Sequence, residues 1–181
     1  EQLARRQAVA VWQPGNVQPL VADLSVLTAS AEDAARVPQI LARWGVRCVF
    51  LRHLSKTYLD GALFYVDGEP GVALTLRYDR IDSFWFTLLH EIGHLAEGDQ
   101  ASYLDVLEES QGEDDGAEPM EGEPDAHEAW ANQKASQWLI APDAFQDFVT
   151  ATHPCFSKAR VEAFAASQRR HPGIVLGRLQ R

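Results

Sequence analysis

The clearest periodicity lies between residues 81 and 98. Trp85, Leu88, Leu89, Ile92, Leu95 and Ala96 recur at spacings of three and four, which places them on one face of an α-helix. Asp82 or Ser83 stands where a cap belongs, and Gly98 where the helix should stop. Three shorter apolar runs precede it, at 46–51, 62–66 and 72–76. Their length and β-branched or aromatic content predict strands. The turn-forming stretch 67–71 joins the last two as a hairpin.

A further helix is predicted over 32–44, with Ser30 as N-cap, Glu32 and Asp33 at its positive end, and Gly45 as its stop. Pro38 inside it implies a kink or a late start. Residues 1–20 contain Pro14, Gly15 and Pro19 and read as a lead-in with a short helix and a turn. Past the main helix, the pattern predicts helices over 125–140, 142–149 and 157–167. The tail from His171 reads as irregular, then apolar. The expected layout is lead-in helices over 1–44 and one α+β domain over 45–181. In that domain a small three-stranded sheet packs on the 81–98 helix, and further helices follow.

Charge changes this picture at one place. The formal net charge is −10, but ten acids fall between Asp105 and Asp125, where there is no Lys or Arg. The other 16 acids match the 16 Lys plus Arg of the chain. With Gly112, Gly116, Pro119, Gly122 and Pro124 in the same stretch, 105–125 is expected to be a flexible, solvated acidic insert. No basic face remains to argue for direct nucleic-acid binding. No apolar run approaches the roughly 20 residues of a membrane span, and no signal peptide is visible, so no membrane partner is expected. Two cysteines, Cys48 and Cys155, make no disulfide framework and fit a cytoplasmic location. The missing initiator Met implies a chain that extends upstream.

The polar face of the 81–98 helix carries the chemistry. His90-Glu91-Ile92-Gly93-His94 is an HExxH motif. Residues four apart on a helix differ by about 40° around its axis, so both imidazoles project from one face and can bind one zinc ion. Glu91 lies close enough to serve as general base towards a water activated there. With six His in the chain, an accidental match is expected on the order of 1% of the time. The alternative, two surface histidines on an amphipathic helix, accounts less well for the separation of apolar and His faces. The same pattern sends the His face into a cleft and leaves room at Gly93 for a substrate or a strand.

A catalytic zinc needs a third protein ligand. The metzincin pattern fails, because Glu97 and Gln100 stand where it needs Gly and His. Glu128, on the downstream helix, is the best candidate. Ala131 and Ala135 flank its face and allow close helix approach, and Asn132, one turn on, is placed to hydrogen-bond a liganding His. Glu97, His127 and Asp125 are the competitors. His53, His153 and His171 are scattered and read as ordinary polar residues, while Tyr58, Tyr103 and His153 are possible oxyanion donors.

The stretch 84–94 resembles the active-site helix of the ImmA/IrrE metallopeptidases. Glu128, Ala131 and Asn132, through Leu139-Ile140-Ala141-Pro142, are similar to that family's second motif, whose Glu is the third zinc ligand. The tail His171-Pro172-Gly173-Ile174-Val175-Leu176-Gly177-Arg178-Leu179-Gln180 is similar to that of HigA-like antitoxin regulators, which carry a helix-turn-helix domain upstream. The resemblance covers roughly residues 45–181. Two departures are the long acidic insert and Lys134, which stands where an aromatic is common.

This resemblance implies a zincin-like fold and Zn2+ held by His90, His94 and Glu128. It also implies regulatory proteolysis of a repressor or partner protein in a stress or toxin–antitoxin response. The alternative it leaves is a zinc-binding module that recognises a toxin or a signal without cleavage. DNA binding, on this reading, belongs to an N-terminal domain outside the chain.

Overall fold

The computed structural model describes residues 2–51, 60–75, 80–98 and 126–180. It is a mixed α and β fold. In chain order the elements are α1 (Gln2–Arg5), α2 (Val17–Leu27), α3 (Val37–Arg43), β1 (Arg47–Leu51), β2 (Gly61–Val66), β3 (Glu69–Thr75), α4 (Ile81–Glu97), α5 (Ala126–Leu139), α6 (Pro142–Thr152), α7 (Lys158–Ser167) and α8 (Pro172–Gln180). The acidic insert, His53, Tyr58, Tyr103 and Asp125 lie outside the described residues.

All three predicted strands form, in the order β1-β3-β2. β1 runs parallel to β3 and β2 antiparallel to it. The hairpin is tighter than the composition of 67–71 suggests. Asp67 (φ 55°) and Gly68 (φ 81°) alone make the turn, and Glu69 and Pro70 already pair with Val66 and Tyr65. Two successive positive φ angles suit the twist of a two-residue hairpin, and Asp-Gly is a favoured pair for it.

Side chains alternate across the sheet. Cys48, Leu63, Val72 and Leu74 face the main core, whereas Val49, Ala62, Phe64, Val66 and Ala73 form a second cluster with Ala4 of α1. The Gln7 side chain mimics a neighbouring strand on the free edge of β1. Its Nε2 donates to Cys48 O at 2.6 Å, and its Oε1 accepts from Cys48 N at 3.0 Å. Such a cover blunts an edge that would otherwise template further pairing.

α4 follows its periodicity. Trp85, Leu88, Leu89, Ile92 and Leu95 are buried in the main core, and Gly98 ends the helix at φ 81°. Its N-cap is Arg80, with no side-chain cap. Asp82 is buried in the first turn and held by Arg80 through Nε (3.1 Å) and Nη2 (2.9 Å). The 32–44 helix divides into a 3-10 turn at Glu32–Arg36 and α3, the late start that Pro38 calls for.

Two helices differ from the sequence expectation. α2 forms although Pro19 reads as a breaker, because Pro19 lies in its first turn, where a backbone N–H has no intrahelical partner. It buries Val17, Leu20, Val21, Leu24 and Leu27 in the same core as α4. The tail, expected to begin irregularly, is helix α8 from Pro172 onward. Pro172 starts it, the His171 Nδ1 accepts from Gly173 N at 3.1 Å, and the helix lies against α4. Gly173 faces Ile81 and Gly177 faces Asp82, so the two glycines serve close packing and do not break the helix. Among the described residues, no helix is long and apolar enough to cross a membrane.

Candidate metal centre

Among the described residues, α4 and α5 form the most extensive helix pair. A Cβ on Gly93 would lie 3.0 Å from Ala131 Cα and 3.2 Å from Ala131 Cβ. The bare backbone at 93 thus admits a neighbouring helix, where a substrate or a strand was expected. Ala131 and Ala135 are fully buried on the facing side. This close approach carries Glu128 to the two histidines.

His90, His94 and Glu128 each offer a ligand atom, and these atoms lie within 4.8 Å of one another. His94 Nε2 is 3.1 Å from His90 Nε2. Glu128 Oε2 is 3.3 Å from His90 Nε2, and Oε1 is 3.2 Å from His94 Nε2. Ligands about 2.0–2.1 Å from a tetrahedral metal stand about 3.3 Å apart, and the two histidines, each with a different Glu128 oxygen turned to it, stand at about that spacing. Two imidazole nitrogens and a carboxylate also form a donor set suited to a divalent transition metal. The residues therefore fit a metal ion.

Asn132 stands where the helical spacing predicted. Its Oδ1 is 3.1 Å from His90 Nδ1 and accepts that N–H, which leaves the Nε2 lone pair turned towards Glu128 and His94. Burial lowers the His90 pKa below the ordinary imidazole value. Glu128 and the Asn132 hydrogen bond pull it up, and His94 pushes it down further. The balance keeps the ring neutral, which is the ligating form.

Glu91 is only 5% exposed. Burial first and the neighbouring Glu128 charge second push its pKa up to about 8, while a backbone hydrogen bond from Leu63 works the other way. The ligand side chains grade from His94 (2% exposed) through His90 (16%) to Glu128 (32%), whereas β2 covers Glu91 closely. Gly61, on β2, makes this possible. A Cβ there would lie 2.5 Å from Thr87 Cγ2 and 2.7 Å from Glu91 Oε1. Sequence reasoning missed Gly61 and the Leu63 N–H. A glycine opening a strand was the available signal, since it often marks close approach of another group.

Two of the competing ligands meet each other: His127 Nδ1 is 3.0 Å from Glu97 Oε1. His153 is exposed, and His171 is used at the start of α8. Lys134, the departure in the second motif, lies over the Trp130 ring at 5.2 Å and leaves the ligands in place. Comparison of the chain with protein-family models and with curated proteins found no match.

Proposed function

We propose that this chain is a zinc-dependent metallopeptidase domain of the ImmA/IrrE type, zincin-like in fold, from a bacterial regulatory protein. Its substrate on this reading is a specific repressor or partner protein in a stress or toxin–antitoxin response. The observation that carries the proposal is the joint placement of His90, His94 and Glu128 around one point, with Glu91 adjacent in sequence and buried beside it.

Zinc, when bound, supplies a Lewis acid and an acidified water. His90 and His94 would hold it from one helix and Glu128 from the next. Asn132 keeps the His90 proton on Nδ1. Glu91 is the general base on this reading, its buried carboxyl standing beside the ligand set to take a proton from the water and return it to the leaving amine. β2 and α5 exclude water from the carboxyl and strengthen the electrostatics around it.

A second reading, a zinc-supported module that binds a toxin or signal without cleaving it, draws support from the enclosure of Glu91 beneath Gly61 and Leu63. Incubating the zinc-loaded protein with the product of the neighbouring gene separates the two. Chelator-sensitive cleavage that is lost in Glu91→Gln supports the peptidase. A stable complex with no cleavage supports the module. Less than about one zinc per purified chain overturns both.

A further inference from the structure

The tail motif leaves one arginine whose charge meets an aromatic ring and, among the described residues, no hydrogen-bond acceptor. Three arginines border α8. Arg80 is spent on Asp82 and on Gln180 Oε1 at 3.0 Å. Arg170 is spent on the carbonyls of Leu139 (2.6 Å), Ser25 (3.2 Å) and Trp138 (3.3 Å), where it closes the ends of α2 and α5. Arg178 differs. Its guanidinium lies 5.4 Å over the Phe145 ring, which occupies one flat face. Among the described residues, no carboxylate or carbonyl takes its N–H donors, which lie in the plane of the group.

Arg178 also lines a shallow groove of about 430 Å³ between α5, the start of α6 and α8. Asn132, Gln133, Ser136, Gln137, Pro142 and Arg178 line it. No acidic residue lines it among those described. The wall is shared with the metal centre, since the Asn132 amide both lines the groove and accepts the His90 Nδ1 proton. A half-buried cation, stacked and so held in orientation, beside a row of amide and hydroxyl groups suits a planar anion with polar flanks.

We propose that this groove binds a carboxylate of a peptide, with Arg178 as its anchor and the amides of Asn132, Gln133 and Gln137 bonding the backbone beside it. The proposal rests on the peptidase reading for its place in function and makes Arg178 a specificity residue of that site. The carboxylate is either an acidic side chain or a free C-terminus.

Binding, not turnover, tests this, so failure of the peptidase reading leaves the result interpretable. Three probes are titrated into the full zinc-loaded chain: acetyl-Ala-Ala-Glu-Ala-Ala-amide, its Gln counterpart, and that counterpart with a free C-terminus. The side-chain 15N–1H signals of Arg178, Asn132 and Gln137 are followed. At least one carboxylate peptide should bind about tenfold or more tightly than the neutral one and shift the Arg178 Nε signal. The better of the two identifies the source of the carboxylate. Arg178→Gln should remove the preference, and Arg178→Lys should keep part of it, which a merely structural loss would not. Equal affinity for all three probes, or an unchanged preference in Arg178→Gln, overturns the proposal.

Discussion

At the scale of single residues, two contacts carry most of the site's chemistry. The hydrogen bond from His90 Nδ1 to Asn132 leaves Nε2 as the ring nitrogen that would face a metal. Asn132→Ala should weaken zinc binding roughly 10–100-fold, the usual cost of losing the partner of a liganding His. Competition with a chromogenic chelator measures it, and an unchanged affinity would show that the tautomer is set elsewhere. Gly61 matters because Glu91 fills the space its missing side chain leaves. Gly61→Ala should displace the carboxyl, destabilise the fold by about 1–3 kcal/mol, and reduce turnover well beyond any loss of zinc. The two thiols are set apart by burial. Cys155 is exposed, whereas burial pushes the Cys48 thiol up to about 12. A thiol-specific reagent at pH 8 should label Cys155 in the native protein and reach Cys48 only after denaturation.

At the scale of elements, α4 and α5 are the two jaws of the candidate metal site, and Gly93 lets them approach closely. Ala is the better helix former by roughly 1 kcal/mol. The new Cβ would nonetheless press on Ala131 backbone at 3.0 Å, which has no flexible end to move aside. Gly93→Ala should therefore lower stability by about 1–3 kcal/mol and lengthen the reach from Glu128 to the histidines. Denaturant melts and zinc titration of the same variant check both effects. Unchanged zinc affinity would mean that α5 shifts without carrying Glu128 away. β2 is the third element of the site, and it reaches Glu91 through a backbone N–H and an absent side chain.

At the scale of the whole molecule, the metal would couple parts of the chain far apart in sequence. α4 and α5 share the ligands, and α2, α3, the sheet and α8 share one core with α4. A ligand that binds only the folded state adds stability in proportion to the logarithm of its saturation. Zinc at 100 times its Kd should contribute about 2.7 kcal/mol. For a chain of this size that corresponds to a Tm shift of roughly 5–10 °C between zinc-loaded and chelated protein. Scanning fluorimetry with and without chelator reads it, and identical curves would argue against a metal centre.

What the sequence determined by itself was local. The period of 81–98 placed Trp85, Leu88 and Ile92 on one face and the two histidines on the other, because both facts follow from one helix. The same logic put Asn132 one turn from Glu128, since that spacing needs no knowledge of a neighbour. Helices α2 and α8 were not legible, because Pro19 and the paired glycines of the tail carry opposite meanings in isolation and in contact with another element. Tertiary structure alone decided that Gly93 faces Ala131, that Gly61 makes room for Glu91, that Glu97 turns to His127, and that Arg178 and Asn132 line one groove. Each of these is a distance between elements. Such distances depend on how whole faces pack, and no short-range periodicity along the chain encodes them.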